Sequence, residues 1–226
     1  MSLILRRETD WLWLLKPAGL PVFPLHRDPG SDCVLKRLLA ELPEQGECAW
    51  PEGFEGGLAH RLDIPTSGLV LAARSGEALL SARAAFSAKA LTKTYRFLSG
   101  GELDHDQLSA DGRCTLPIAH HPKSRRKMVV QRHARTRCRG KWYPADTRFR
   151  HLGGRRYEAV IVTGVMHQIR VHAAHCGVPL LGDTLYGGQA LPAESAGSGP
   201  AFYLHHAHLA GLGSCPFTPP PVDWPA

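Results

Sequence analysis

Long hydrophobic runs are absent from this sequence. The apolar, aromatic-rich stretch from Trp11 to Leu15 is followed at once by Lys16 and Pro17, whereas a membrane-spanning helix needs about 20 apolar residues. The beginning of the chain also lacks the charged, apolar and small-residue succession of a signal peptide. We therefore expect a cytoplasmic protein with no membrane partner.

Paired cysteines are lacking as well. The 6 cysteines are scattered and contain no Cys-x-x-Cys pair, so neither a zinc site nor a disulfide framework is expected. Two groups among the 13 histidines, within residues 167–175 and 205–208, are not accompanied by the carboxylate or cysteine of a recognised ligand pattern. No Gly-x-x-x-x-Gly-Lys loop offers a nucleotide site. We expect no metal and no cofactor.

Acidic residues are few relative to basic ones. The chain carries 27 Lys and Arg against 20 Asp and Glu, which gives a formal charge of +7, and this excess fits a polyanionic partner. Much of it lies between Lys123 and Lys141, where almost no acid intervenes. Such a run is usually a solvated surface, but unbalanced cations favour phosphate contacts. The candidate phosphate-binding residues are Arg125, Arg126 and Lys127.

Helix and strand signals alternate along the 226 residues, a length that allows one large domain or two small ones. Alternating or continuous apolar runs predict strands at residues 11–15, 69–73, 92–98, 157–162 and 202–209. Three- and four-residue spacing predicts a helix N-capped by Ser31 and ending before Pro43, with a buried stripe. Ser75 is expected to cap a second helix, from about Glu77 to Ala90, whose packed face includes Leu79, Ala82, Phe86 and Ala90. A third helix is expected through residues 171–176, and surface loops at 42–57 and 189–200.

Asp63 is the carboxylate with the most unusual surroundings. It lies between Arg61 and a Pro65-Thr66-Ser67-Gly68 turn, immediately before the apolar run that begins at Leu69. An isolated Asp before a turn commonly accepts backbone N–H bonds and has only a structural role. A carboxylate held on a loop beside an arginine, however, stays ionised at neutral pH and is suited to act as a nucleophile or a base.

Two further segments combine a predicted regular element with polar groups. Tyr95 lies in the strand of residues 92–98, where a tyrosine commonly just fills the core. Farther along the chain, the strand of residues 157–162 leads into a helical segment in which His167 and Arg170 share a face. This face can point both toward a carboxylate and toward an RNA backbone.

These segments together resemble the RluA-type RNA pseudouridine synthases. The family motif His-Arg-Leu-Asp-x-x-Thr-Ser-Gly-Leu is matched by residues 60–69 at every defined position, and Lys-x-Tyr by residues 93–95. Residues 163–172 resemble Thr-Gly-Arg-x-His-Gln-Ile-Arg-Val-His, and residues 16–19 and 179–187 resemble Lys-Pro-x-Gly and Pro-Leu-Leu-Gly-Asp-x-Leu-Tyr-Gly. Three positions depart from the pattern: Leu15 replaces Asn, Val165 replaces Arg, and Met166 replaces Thr or Ser.

The resemblance implies an α+β fold, a largely antiparallel mixed central sheet with flanking helices and an RNA-binding cleft. It implies an isomerase that converts a uridine of structured ribosomal or transfer RNA to pseudouridine without a cofactor. The chain is then a monomer and a single catalytic domain over residues 1–226, without an N-terminal S4-like module and with a flexible loop at 189–200. The catalytic residues implied are Asp63, Tyr95 and Arg170. The substrate-binding residues implied are His60, Arg61, Thr66, His167 and Gln168, together with Arg125, Arg126 and Lys127.

Two other functional classes stay open. One is a non-catalytic RNA-binding or ribosome-assembly factor on the same fold, which the departures at Val165, Met166 and Leu15 would suit. The other is an unrelated carboxylate-dependent hydrolase, which is disfavoured because no second carboxylate or metal set accompanies Asp63 in the motif. Whether Asp63 attacks the sugar, attacks the ring or removes a sugar proton is also left open.

Overall fold

A computed structural model describes residues 2–191, 201–222 and 224–225. The chain divides into two compact units, unit 1 with Met1–Lys93 and His205–Pro221, and unit 2 with Thr94–Leu204 and Val222–Ala226. The helices are α1 (Val34–Glu41), α2 (Glu44–Glu47), α3 (Gly76–Ser87) and α4 (Gln168–His175). The strands are β1 (Ile4–Arg7), β2 (Trp11–Lys16), β3 (Ser67–Ala73), β4 (Thr92–Leu98), β5 (Arg113–Cys114), β6 (Ile118–His120), β7 (Met128–Val130), β8 (Arg139–Tyr143), β9 (Thr147–His151), β10 (Arg156–Ile161) and β11 (Leu204–Ala210).

The sheet of unit 1 has the strand order β1-β2-β3-β11. β1 and β2 are antiparallel, β2 and β3 are antiparallel, and β3 and β11 are parallel. β3 is buried along its whole length, which explains why its sequence is a continuous apolar run rather than an alternating one. The predicted strands at residues 11–15 and 69–73 are confirmed, and β3 begins two residues earlier than expected.

The helices of unit 1 follow the predicted apolar spacing more closely than the predicted caps. The buried stripe of α1 is confirmed, but its N-cap is Cys33, whose Sγ accepts from the Lys36 N–H at 3.4 Å. The prediction of Ser31 as the cap is wrong because its hydroxyl is used in the preceding turn, where it donates to the Asp28 carbonyl. Ser75 does cap α3, accepting from the Ala78 N–H.

Two details of unit 1 contradict the sequence predictions. Ala90 is exposed and lies beyond the end of α3, so it has no place on the packed face of that helix. The segment 42–57 is not simply a surface loop, since it contains α2 and a 3-10 turn at Glu55–Gly57. Gln45 in α2 is buried because its amide donates to the carbonyls of Gly56 and Ala73. The bond to Ala73 ties the segment to the end of β3.

Unit 2 contains strands in the order β4-β10-β9-β5 and a smaller sheet in the order β7-β6-β8. β9 and β10 form a hairpin and pair antiparallel, as do β9 with β5 and β6 with both of its neighbours. α4 packs against β7 and β9. It ends at Cys176, and Gly177 follows with a φ of 81°, as a helix stop by glycine requires.

The α+β class with a largely antiparallel mixed sheet is therefore confirmed. The RNA-binding cleft and the single catalytic domain stay predictions. Of the loop expected at 189–200, residues 192–200 lie outside the described part of the chain. Among the described residues, no helix combines the length and apolar character needed to cross a bilayer.

Candidate active site

The predicted site residues are distributed over both units. Unit 1 carries Asp63 with His60, Arg61 and Thr66, whereas unit 2 carries Tyr95, the residues around Arg170 and the basic run. Their roles in catalysis and binding stay predictions.

The turn that carries Asp63 is defined by its backbone. The Thr66 N–H donates to the Asp63 carbonyl at 3.0 Å, which closes the turn before β3, and Asp63 itself is half-buried. Gly68 has a φ of 117°, and a Cβ there would collide with the backbone of His206. Only glycine therefore allows β11 to pair with β3 at this point. The turn that carries Asp63 thus leads directly into β3, whose position is fixed by β2 on one side and by β11 on the other.

Lys16 is a residue of this region to which the sequence patterns assigned no role. It is fully buried, and its ammonium donates to the carbonyls of Pro17, Leu20 and Ile64 at 3.0, 2.7 and 3.0 Å. Ile64 follows Asp63 directly, so the third bond ties the turn of Asp63 to the segment that begins at Lys16. Burial lowers the pKa of Lys16 to about 8, against the opposing effect of the Asp63 charge. The signal that could have found it is the Lys-Pro-x-Gly segment, in which Lys16 is the first residue.

His60 precedes the same turn in the chain. Its Nε2 accepts from the Leu71 N–H at 3.1 Å, and its ring contacts the rings of Phe86 and His206 at centroid distances of 5.4 and 5.7 Å. Burial, together with the Lys93 charge, lowers the pKa of His60 to about 3. His60 is therefore neutral at physiological pH and holds β3 through a hydrogen bond.

Arg61 and Thr66 differ sharply in accessibility. Arg61 is exposed, whereas Thr66 is buried in the turn. An exposed arginine can reach an RNA phosphate without rearrangement of the turn. A contact between the buried Thr66 side chain and RNA would require such a rearrangement.

Tyr95 lies in β4, on the buried side of the strand. It is 7% exposed and shares this side with Phe97, while Arg96 lies on the other. Arg96 pairs at 2.9 Å with Glu158 of β10, which also pairs at 2.9 Å with Arg150. The predicted strand 92–98 is confirmed, and the pairing of Glu158 with two cations anchors β4 to its neighbours in unit 2.

Arg170 is the most constrained cation of unit 2. Its Nε and Nη2 donate to the two carboxylate oxygens of Asp183 at 2.6 and 2.8 Å, and both residues are buried. Its guanidinium carbon also lies 5.0 Å from the ring centroid of Tyr186 and 4.5 Å from that of Phe202. The sequence patterns did not identify Asp183 as a partner, although it lies in the segment 179–187 that matches a family motif.

His167 immediately precedes α4 in a left-handed conformation, with a φ of 55° and a ψ of 20°. It occupies the N-cap position without a side-chain capping bond. Its Nδ1 instead lies 2.8 Å from the Tyr186 hydroxyl. His167 and Arg170 thus both contact Tyr186. The predicted shared helical face is wrong in its basis, because His167 precedes α4 in a left-handed conformation and is not part of the helix.

Gln168 uses its side chain within the protein. Its Oε1 accepts from the Thr163 hydroxyl and the Val165 N–H at 2.8 and 3.1 Å. Its amide donates to the Asp146 carbonyl and the Thr147 hydroxyl at 2.9 and 3.1 Å. Both amide protons and both lone pairs therefore have partners. This network fixes the approach to α4, and the predicted contact of Gln168 with substrate stays untested.

The basic run lies largely at the surface. Lys127 is half-buried just before β7, while the other cations of the run are exposed. The exposed members are Lys123, Arg125, Arg126, Arg132, Arg135, Arg137, Arg139 and Lys141. This exposure leaves their charges accessible to a polyanion.

Comparison with known proteins places these features in a family. The family model described as RNA pseudouridylate synthase matches residues 10–175. The chain belongs to this family. It is 34% identical over 197 residues to ribosomal large subunit pseudouridine synthase D of Yersinia pestis, covering 85% of this chain and 55% of that protein. The protein of the same name from Haemophilus ducreyi is 33% identical over 199 residues, covering 88% and 56%.

The chain spans about half the length of these two relatives. A solved structure, human RNA pseudouridylate synthase domain containing 1, resembles the chain with a TM-score of 0.68 at 23% identity, covering 98% of this chain and 83% of that one. At this identity the likeness supports the fold alone. The predicted resemblance to pseudouridine synthases is confirmed.

One departure from the family pattern has a structural explanation. Val165, which replaces the family's Arg, packs against an apolar cluster of unit 2 that includes Ile118, Met128 and Val171. An apolar side chain is stable there because it is partly removed from water. Met166 is 41% exposed, so the segment before α4 presents an apolar surface to solvent.

No group of three or more potential ligands capable of holding a metal occurs among the described residues. His172 belongs to the histidine group within residues 167–175, and it contacts the Thr147 hydroxyl and the Leu116 carbonyl at 2.8 and 2.9 Å. Both of its ring nitrogens therefore have protein partners.

Proposed function

We propose that this protein is an RNA pseudouridine synthase, an isomerase that cleaves the glycosidic bond of a uridine and rejoins the base through carbon. Asp63 carries the proposal. It is a half-buried carboxylate on a turn held by the Lys16 ammonium, in a motif that matches the family at each defined position. A rigid carboxylate of this kind can be presented to a substrate with little loss of conformational entropy.

In this proposal each predicted residue has a distinct task. Asp63 acts on the uridine as nucleophile or base, Tyr95 packs against the base, and Arg170 supplies a fixed positive charge. A uridine in folded RNA must first be removed from its stack, at a cost of a few kcal/mol. Contacts between phosphates and the exposed basic run offset this cost. The reaction requires no cofactor.

Ribosomal RNA is the substrate we favour. The relatives from Yersinia pestis and Haemophilus ducreyi are both named for the ribosomal large subunit. A protein that acts on ribosomal RNA would work in the cytoplasm, and we propose that it does so as a monomer. A pseudouridine map of total RNA from cells with and without the gene would identify the substrate and the modified uridine.

Substitution of Asp63 tests the proposed chemistry. Asp63→Asn and Asp63→Ala should abolish pseudouridine formation while leaving RNA affinity and the midpoint of urea unfolding nearly unchanged. Asp10→Asn is the matched control, since Asp10 is an exposed carboxylate of the same unit. Near-normal turnover in either Asp63 variant would remove Asp63 from the mechanism.

The same experiment distinguishes the enzyme from a non-catalytic RNA-binding factor. If the unmodified protein binds ribosomal RNA tightly but produces no pseudouridine in a purified reaction or in cells, the binding factor is the correct function. Substitution of Asp63 would then alter neither affinity nor the RNA modification map.

A further inference from the structure

The hydroxyl of Tyr186 connects parts of unit 2 that are separated in sequence. It accepts from the Met128 N–H at 2.8 Å and lies 2.8 Å from Nδ1 of His167. The ring of the same residue contacts the guanidinium of Arg170. One side chain thus contacts the beginning of β7, the residue before α4 and the buried cation of α4.

The conformation of His167 requires such support. A non-glycine residue in the left-handed region is strained by roughly 1 kcal/mol and persists only where its surroundings determine it. His167 has no side-chain capping bond. Its ring contacts Tyr186 both through Nδ1 and edge to face, with ring centroids 5.7 Å apart. These contacts fix the point from which α4 and Arg170 begin.

The contact with Met128 extends this arrangement to the basic run. Met128 is the first residue of β7 and follows Lys127 directly. The Lys127 carbonyl is itself held by the His121 N–H at 3.0 Å. The Tyr186 hydroxyl therefore bonds to the backbone where the segment containing Arg125, Arg126 and Lys127 ends.

Asp183, the partner of Arg170, directly precedes the 3-10 turn Thr184–Tyr186. The Tyr186 N–H donates to the Asp183 carbonyl at 3.1 Å, and the Gly188 N–H donates to the same carbonyl at 2.9 Å. Asp183 holds two nitrogens of the guanidinium while Tyr186 covers one of its faces. The orientation of Arg170 thus depends on this short turn.

We infer that Tyr186 is a positioning residue. It fixes His167 and Arg170 through its hydroxyl and ring, and it links them to Met128, which directly follows Lys127 of the basic run. The inference rests on the proposed function, because it assigns Tyr186 a part in placing Arg170 for the reaction.

Tyr186→Phe tests the hydroxyl while keeping the ring against Arg170. At saturating RNA, we expect kcat to fall on the order of tenfold, since a misplacement of about 1 Å can cost on the order of 100-fold. The KM for a transcript of large-subunit ribosomal RNA should change less than kcat. The matched control is Tyr157→Phe, which also loses one hydroxyl hydrogen bond within unit 2, the 2.9 Å bond to the Gly101 carbonyl.

Amide exchange of the free protein gives a second measurement that needs no activity. Met128 and the first turn of α4 should exchange faster in Tyr186→Phe than in the unmodified protein, and Tyr157→Phe should leave both unchanged. Equal kcat for the two variants, or unchanged exchange in Tyr186→Phe, would overturn the inference. An unmodified protein that forms no pseudouridine would overturn the proposed function instead, and the exchange result would still decide the role of Tyr186 in holding the helix.

Discussion

The two units bury lysine and arginine side chains in different ways. In unit 1, Lys16 is fully buried and bonds to backbone carbonyls, and Lys93 is also buried with its pKa lowered to about 8. His205 is buried there too, between the hydroxyls of Ser67 and Thr218, and burial lowers its pKa to about 4. In unit 2, by contrast, Arg170 has a buried carboxylate as its partner.

This difference predicts different responses to pH and substitution. A buried cation that bonds only to neutral carbonyls is penalised by desolvation, so its pKa falls toward neutral pH. A buried cation paired with a carboxylate avoids much of this penalty, and removing the carboxylate breaks a buried ion pair at a large cost in stability. Unit 1 should therefore be the more sensitive to pH, and unit 2 to the loss of a single carboxylate.

The largest effect is expected for Asp183→Asn. Removing one partner of a buried ion pair typically costs about 3 to 5 kcal/mol, which urea unfolding would measure. Asp32→Asn is a close control, because Asp32 also accepts from Nε and Nη2 of an arginine, Arg37, but is exposed. An exposed pair contributes roughly 0 to 1 kcal/mol. Similar losses in the two variants would contradict the comparison.

A smaller loss is expected for Lys16→Met. The carbonyls of Pro17, Leu20 and Ile64 would lose their donor in one buried and two part-buried hydrogen bonds, at about 1 to 3 kcal/mol, and the turn of Asp63 would loosen. Because the pKa of Lys16 is about 8 in the folded protein, the unfolded chain binds more protons between about pH 8 and 10.5. The stability of the unmodified protein should therefore rise over this range.

Unfolding by urea at several pH values checks this. The rise in stability should be smaller in Lys16→Met. In the control Lys36→Met, at an exposed site, the rise should equal that of the unmodified protein. An identical rise in Lys16→Met would show that Lys16 does not titrate in this range.

Mild acid should destabilise unit 1 through its buried histidines. The pKa values of His60 and His205 are lowered to about 3 and 4, so their neutral forms contribute full stability above about pH 6.5. As the pH falls to 5 the unfolded chain takes up protons first, and roughly 1 to 2 kcal/mol is lost per histidine. His205→Gln should lose less stability than the unmodified protein as the pH falls. The control His105→Gln, at an exposed site, should lose as much as the unmodified protein. Parallel curves for all three proteins would contradict this expectation.

The smallest effect on stability is expected for the basic run. Replacing Arg125, Arg126 and Lys127 together by alanine should change the free energy of unfolding by less than about 0.5 kcal/mol, as surface substitutions usually do. The slope of log affinity against log salt should flatten by about 0.7 to 0.9 for each phosphate that the variant no longer neutralises. A charge-matched control from unit 1 replaces Arg27, Lys36 and Arg37. An equal change of slope in both triple variants would show that the run has no special role in RNA binding.

The sequence predicted regular elements best where a local pattern was enough. The strand of residues 92–98 is confirmed from end to end, and Ser75 caps α3 as expected. The cap of α1 was missed because apolar spacing locates the buried stripe but not the first turn. The Ser31 hydroxyl is occupied by the Asp28 carbonyl, and this competing bond depends on the fold of the preceding turn.

In the candidate site, too, some features follow from local sequence patterns and others depend on the fold. The sequence by itself supplied the motif around Asp63, the segments of Tyr95 and Arg170, and the resemblance to a family to which the chain belongs. The tertiary structure decided the partners, since a lysine such as Lys16 is ordinarily exposed and is buried here only because three carbonyls converge on it. The pairing of Arg170 with Asp183, and the convergence of His167 and Met128 on Tyr186, likewise depend on contacts between separate segments. Spacing along the chain does not encode such contacts, because they form only when the elements pack.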